Sequence, residues 1–331
     1  MIGWANLAVD AAAAAGTSAL LVPLARRAAF AVGAVDVPDE RHQHARTMPR
    51  LGGTAVFAAF LLVALGLALL DRLVDDTPEM QLLPYLAGAA LVLAVGAIDD
   101  VRRLGPLVKL GVEVAAAAVV VYGGDCRISG ISSLSGVLDL GWLGGPFTIL
   151  WIVLVTNALN LIDGLDGLAA GTAFLALGSI AVVARGFDLT TVAILAAVLG
   201  GACAGFLYHN FHPATIFLGD SGSLFIGFSI GVLSSYARAK GTTGAITFAT
   251  LLIVALPLGD TVTAIGRRYF RGLADHGLRQ HGAALSRIFQ PDNNHLHHRL
   301  LRAGLGQRGA SYALYAIQAI ACGYAIYLLV R

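Results

Sequence analysis

Ten apolar runs, each close to the length a helix needs to cross a lipid bilayer, follow one another along this chain of 331 residues. They cover roughly 5–27, 51–70, 81–98, 107–123, 146–161, 168–185, 189–208, 222–237, 244–266 and 310–330. A spanning helix takes about 20 predominantly apolar residues, because in hydrocarbon every backbone N–H and C=O must find its partner inside the segment. The predicted fold class is therefore an all-α polytopic membrane protein of about ten transmembrane helices, a single domain over residues 1–331. Composition agrees, with 57% hydrophobic and 13% charged residues, against about 25% charged in a soluble domain. Cys126, Cys203 and Cys322 lie in or beside apolar runs without metal-ligand spacing. They read as small apolar residues or free thiols. The first apolar run lacks the basic n-region and short h-region of a cleaved signal, so it is expected to be retained. Ala-rich stretches such as 11–15 and 115–118, together with many glycines, favour close helix packing. No internal repeat of the kind found in many transporters is visible.

An even number of spans puts both termini on one side, and the connections alternate between two sets. One set is 28–50, 99–106, 158–167, 209–221 and 267–309; the other is 71–80, 124–145, 186–188 and 238–243. Only Arg72, Arg127, Arg185, Arg238, Lys240 and Arg331 fall to the second set and the C-terminus, while the rest of the 22 Lys and Arg residues lie in or beside the first. The positive-inside rule makes the first set cytoplasmic and leaves both termini outside a plasma or inner membrane. All nine histidines lie on the cytoplasmic side. In the 124–145 connection, Arg127–Ile131 and Gly136–Leu140 are short, alternating and Gly-bounded, which predicts a small hairpin on the periplasmic or extracellular face.

Four polar clusters interrupt this apolar pattern, and all fall in the cytoplasmic set, although none was used to choose the sides. The densest is Asn157-Ala-Leu-Asn160-Leu-Ile-Asp163-Gly164-Leu-Asp166-Gly167. A carboxylate at mid-bilayer depth costs roughly 2.5–3.5 kcal/mol on insertion scales, so such a cluster needs water, a metal or a ligand beside it. Its amide and carboxylate oxygens are hard ligands suited to magnesium or to the hydrogen-bonding edge of a base. Gly164 and Gly167 predict that the helix unwinds there, and an Asn/Asp/Gly turn is the structural alternative. A second cluster is Asp99-Asp100, followed by Arg102, Arg103 and Lys109. Adjacent carboxylates repel, which suits a base or a bound cation, while Lys109 is a compact phosphate contact. A solvated helix end with ordinary ion pairs would look the same.

Phe217-Leu-Gly-Asp220-Ser-Gly-Ser223 opens the eighth run. A helix N-terminus favours phosphate, Asp220 beside it makes sense with a divalent cation between them, and Phe217 offers a stacking surface. The structural alternative is Asp220 as a helix cap. His295-Leu-His297-His298-Arg299 lies in the long basic connection 267–309. Zinc would need partners that the spacing does not supply, so binding of a diphosphate or sugar is the expectation, with contact to lipid headgroups as the alternative. The stretch from Asp36 to Gly53, mixing charge, Pro and Gly, reads as a headgroup anchor or a wall of the site. Walker A, Gly-x-Ser-x-Gly and Gly-x-Gly-x-x-Gly patterns are absent.

Taken in order, these segments resemble the polyprenyl-phosphate N-acetylhexosaminyl-1-phosphate transferases, glycosyltransferase family 4, which include the MraY and WecA types. The resemblance runs from about Asp36 to Arg308. It implies ten or eleven spans around a cytoplasmic active-site cleft, and the transfer of a sugar 1-phosphate from a UDP-N-acetylhexosamine to undecaprenyl or another polyprenyl phosphate, with release of UMP. By position it implies that Asp99 assists or deprotonates the lipid phosphate, that Asp100 supports it, and that Asp220 binds Mg2+ with Asn160 as second ligand, Mn2+ being an alternative ion. Lys109 matches a phosphate contact, and Phe217 and Asp166 match a uracil pocket. Asn157 and Asp163 are placed with the substrate-binding residues, and His295, His297, His298 and Arg299 match a diphosphate- and sugar-facing loop. The His-Leu-His-His-Arg-Leu order departs from three adjacent histidines, which places the chain nearer the WecA type and makes UDP-GlcNAc the expected donor. UDP-MurNAc-pentapeptide is the alternative. The stretch 272–290 is longer than the family pattern before the histidine motif. Dimers are common in that family, and a homodimer is the corresponding expectation; nucleic acid is not an expected partner. From other classes, a transporter of lipid-linked substrates would place polar groups near mid-membrane, and a scaffold would leave Asp220→Ala silent.

Overall fold

The computed structural model describes residues 3–37, 47–73, 80–133, 136–239, 251–276 and 295–330. Nearly all of it is helix. In chain order the long helices are α1 (Trp4–Val32), α2 (Gly52–Leu69), α3 (Leu82–Arg102), α4 (Pro106–Gly123), α5 (Gly144–Ile162), α6 (Leu168–Gly186), α7 (Thr190–Asn210) and α8 (Gly219–Ala239). There follow α9 (Ala255–His276), the short α10 (Leu296–Arg302) and α11 (Gln307–Val330). Eight of the described helices, α1 to α7 and α11, are long and apolar enough to cross a membrane. The sequence-predicted run 222–237 falls on α8. The run 244–266 lies partly outside the described residues and ends within α9. That helix continues to His276, so the connection expected as a loop over 267–309 begins as helix and carries a second helix, α10, beyond its undescribed part.

Helix α8 forms the core of the bundle. Every residue from Ser221 to Tyr236 is buried, against neighbours that include α2, α3, α5 and α6. A helix wrapped by protein needs little hydrocarbon of its own, and α8 carries hydroxyls that bond within the protein. Ser229 bonds with the Tyr85 hydroxyl at 3.0 Å, and Trp151 Nε1 donates to Ser234 at 3.1 Å. On the outside, α1 packs along α7 with the close approach that small residues permit. A Cβ added at Gly201 or Gly205 would sit 2.1 or 2.0 Å from the carbonyl oxygens of Ala11 and Ala15, which is the role expected of the Ala-rich stretch.

Two small sheets complete the fold. β1 (Val35–Asp36) pairs antiparallel with β2 (Met48–Pro49). β3 (Gly130–Ser133) pairs antiparallel with β4 (Gly136–Asp139), so the hairpin expected from the alternating stretches is present. Two contacts anchor the end of the bundle where β3 begins. Tyr236 donates to the Gly124 carbonyl at 2.8 Å, and Ile128 N–H donates to Thr148 at 2.9 Å. Asp10 and Arg72 form a two-pronged ion pair at 2.8 and 2.9 Å. The polar clusters gather at the other ends of these helices.

Candidate active site

The last turn of α3, the first turn of α4 and the first turn of α8 converge. Lys109 Nζ lies 2.6 Å from Asp220 Oδ2 and 3.3 Å from Asp99 Oδ2. An ammonium placed between two carboxylates relieves the repulsion that either pair of acids would suffer. Asp99 also accepts from Leu104 N–H at 2.7 Å, fixing the turn into α4. Arg50 adds a second cation, 3.7 Å from both Asp100 and Asp220.

Asp100 is wholly enclosed. Its Oδ1 accepts from Asp220 N–H at 2.9 Å and its Oδ2 from Ser221 N–H at 3.1 Å. The first N–H groups of a helix have no partner within it, and Asp100 supplies one from 120 residues away. The side chain that caps α8 is thus Asp100, and Asp220 is left to face Lys109. Gly219 makes the turn possible. Its φ is +75°, and a Cβ there would meet the Arg50 carbonyl oxygen at 1.9 Å and Asp100 Oδ2 at 2.5 Å. The Asp36–Gly53 stretch forms a wall of this site where it is described. Phe217 N–H donates to Pro49 O at 2.8 Å, and Gly52 and Gly53 donate back to Phe217 and Leu218 at 3.0 and 2.8 Å. Residues 38–46 of that stretch lie outside the described residues.

The Asn/Asp cluster divides as its glycines predict, with α5 ending at Ile162 and α6 starting at Leu168. Asn160 accepts from Ser223 at 2.8 Å, one turn beyond Asp220 on α8. Asn157 donates to the buried carboxylate of Glu113, which lies one turn below Lys109 on α4. Asp163 ends α5 beside the acidic group, and burial together with the nearby Asp220 charge pushes its carboxyl up to about 8. Asp166 turns to other partners, His212 Nδ1 at 2.7 Å and Ala214 N–H at 3.1 Å. Gly167 is held by Asn210 and by the Tyr315 hydroxyl, at 3.1 and 2.6 Å.

The histidine segment joins this group from the far end of the chain. A Cβ on Gly164 would meet His297 Nε2 at 2.5 Å, so only glycine lets the ring lie there. His297 is 3% exposed, and burial, reinforced by the neighbouring His298, pulls it down to about 4. Its Nε2 has no hydrogen-bond partner among the described residues. His295 is also buried, bonded through Nδ1 to Asp260 at 2.9 Å, while His298 is half-buried and Arg299 is exposed.

Asp99, Lys109 and Asp220 are therefore in contact. Asp100, Asn160 and Asp163 stand around them, and Asn157 is reached through Glu113. Phe217 sits in the strand-like wall. Asp166 and the histidines form an adjoining part, joined through the Asp163–Gly167 turn. Sequence reasoning did not single out Arg50, Glu113, Asn210 or Asp260. The available signal was a lone carboxylate inside an apolar run, true of Glu113 and Asp260. Among the described residues no three His, Cys, Asp or Glu side chains stand close enough to hold a metal between them.

A family model described as "Glycosyl transferase family 4" matches residues 82–238, the segment from α3 through α8. The chain is 36% identical over 302 residues to the "Probable undecaprenyl-phosphate N-acetylglucosaminyl 1-phosphate transferase" of Bacillus subtilis, covering 91% of this chain and 79% of the relative. It is 36% identical over 315 residues to the "Decaprenyl-phosphate N-acetylglucosaminephosphotransferase" of Mycolicibacterium smegmatis, covering 87% and 73%. It is 29% identical over 299 residues to the "Undecaprenyl-phosphate alpha-N-acetylglucosaminyl 1-phosphate transferase" of Escherichia coli K12, covering 88% and 75%.

Proposed function

Because this chain belongs to glycosyl transferase family 4, we propose that it transfers N-acetylglucosamine 1-phosphate from UDP-N-acetylglucosamine to a membrane polyprenyl phosphate. The observation that carries this reading is the meeting of Asp99, Lys109 and Asp220 at one end of the bundle, beside the first turn of α8. An oxygen of the lipid phosphate attacks the sugar-bearing phosphorus, the bond to UMP breaks, and UMP leaves. One phosphoanhydride forms as one is lost, so no nucleoside triphosphate is consumed. Relatives of both polyprenyl lengths carry N-acetylglucosamine in their names, which favours that sugar over a UDP-MurNAc-pentapeptide donor and over transport.

The protein's part is to hold and neutralise charge. Among the described residues, Lys109 and Arg50 are cations beside the acidic group that could meet phosphoryl oxygens, and prepositioned charges of this kind supply much of phosphoryl-transfer catalysis. Asp99 is placed to hold the lipid phosphate proton or to orient Lys109, and Asp100 keeps the first turn of α8 in place. Asp220, with Asn160 and Asp163 nearby, suits Mg2+, which is commonly held by one or two carboxylates with waters and phosphates completing the shell. Burial raises Asp163 first and the Asp220 charge adds to it, and a cation beside the two carboxylates would offset that second contribution. When bound, the ion would offset negative charge on the diphosphate. The positive-inside pattern supports a cytoplasmic setting for this end, where a lipid phosphate and a soluble nucleotide sugar can meet.

Purified protein in nanodiscs, given UDP-GlcNAc, undecaprenyl phosphate and MgCl2, is expected to release UMP. Release should be lost in EDTA and be greatest with UDP-GlcNAc in a panel of UDP-sugars. No UMP from any UDP-N-acetylhexosamine would end the proposal.

A further inference from the structure

On α9 stands a carboxylate that the transfer reaction as described does not use. Asp260 is 6% exposed. Its Oδ1 accepts from the backbone N–H of Leu296, the first residue of α10, at 2.8 Å. Its Oδ2 lies 2.9 Å from Nδ1 of His295, with both side chains almost fully enclosed. A buried carboxylate is costly unless its oxygens are bonded, and here one oxygen holds a helix start and the other holds a ring. The His295 ring lies parallel to that of His297, with centroids 5.9 Å apart and planes 4° from parallel. His297 in turn rests on Gly164. A continuous line of contacts therefore runs from Asp260 through His295 and His297 to the turn that carries Asp163 and Asp166.

We propose that Asp260 is a positioning residue: it fixes the start of α10 and the tautomer of His295, and so sets the histidine segment against the Asp163–Gly167 turn. A carboxylate can only accept, so Nδ1 of His295 must carry a hydrogen, and whenever the ring is neutral its lone pair is at Nε2. The proposal rests on the transfer reaction only for its effect on turnover.

Two variants separate positioning from simple structural support. Asp260→Asn keeps an oxygen for Leu296 N–H, but its amide N–H2 replaces Oδ2 and donates to Nδ1, driving the ring hydrogen to Nε2. Asp260→Ala removes both contacts. In protein labelled with 15N-histidine, the signal lost in His295→Gln identifies this ring. It is expected to show the Nδ1–H tautomer in the natural chain and the Nε2–H tautomer in Asp260→Asn. The Gly164 amide resonance should move in Asp260→Ala. Asp260→Asn should keep its melting temperature and its KM for UDP-GlcNAc while kcat falls about tenfold, and Asp260→Ala should lose about 100-fold, the scale of a displacement near 1 Å. An Nε2–H tautomer in the natural chain, or a kcat unchanged in Asp260→Ala, overturns the proposal. If the natural chain releases no UMP from any UDP-sugar, the transfer reading fails, and the tautomer together with the Gly164 resonance still decides the role of Asp260.

Discussion

Both carboxylate oxygens of Asp100 are bonded to backbone N–H groups at the start of α8, one of them the N–H of Asp220 itself. Two acidic residues that are 120 positions apart in the chain thus share one turn, one as its cap and the other as its open carboxylate. Asp100→Asn would leave one of the two N–H groups facing an amide donor. We expect a stability loss of about 1–3 kcal/mol and a fall in kcat larger than any change in KM, because Asp220 shifts with the turn. Thermal melts together with UMP-release kinetics check this; a kcat equal to that of the natural chain would remove Asp100 from the positioning of Asp220.

Lys109 is the cation between Asp99 and Asp220. Lys109→Met is expected to lower stability by about 1–3 kcal/mol, less than a fully buried pair would lose because all three side chains are partly exposed. If Mg2+ occupies the same region, millimolar MgCl2 should restore part of that loss in Lys109→Met and none in the double variant with Asp220→Ala. Melting curves with and without the ion are the measurement, and a restoration that survives Asp220→Ala would place the ion elsewhere.

His297 supplies a pH dependence whose sign follows from burial. Its folded value is pulled down to about 4 from an ordinary 6.5, so between these values the unfolded chain binds the proton more readily. Stability therefore rises as pH increases from 4 to 6.5 and is lost as pH falls through that window, by up to about 3 kcal/mol at its foot. His297→Gln should flatten this part of the stability–pH curve. An unchanged slope in the variant would mean that another group is responsible.

Gly164→Ala tests whether the histidine segment rests where the structure has it. The added methyl group would overlap His297 Nε2, 2.5 Å away. The expected result is a drop in kcat/KM of about 100-fold with a smaller drop in melting temperature, since α10 lies at the edge of the bundle. Wild-type kinetics would show that the ring does not lie against Gly164 during turnover.

Much of the fold was legible because bilayer thickness writes itself into run length. The clusters at helix ends were legible because two or more polar residues repeated at short spacing between apolar runs. Asp99, Asp220 and Asn160 stood out as candidates in that way. What could not be read was the pairing. Asp260 bonds to His295 across 35 positions and Glu113 to Asn157 across 44, and each is the single carboxylate of its apolar run, without a pattern. The resemblance separated Asp99 from Asp100 only as a reacting and a supporting residue; that Asp100 caps α8 was not legible, since adjacent residues of one type look alike until one of them is turned toward another helix. The exposure of Arg299 alone among the five residues of the histidine segment follows from its place on the outer side of α10.

Helix α8, enclosed from Ser221 to Tyr236 and not among the eight described helices long and apolar enough to cross a membrane, has a consequence for biosynthesis. Lipid is a poor host for a segment with so many hydroxyls. Its slot is formed largely by α2, α3, α5 and α6, and all four leave the ribosome ahead of it. The nascent chain thus has a protein berth ready when the segment bearing Asp220 emerges. Moving that segment to the front of the gene would be expected to strand it.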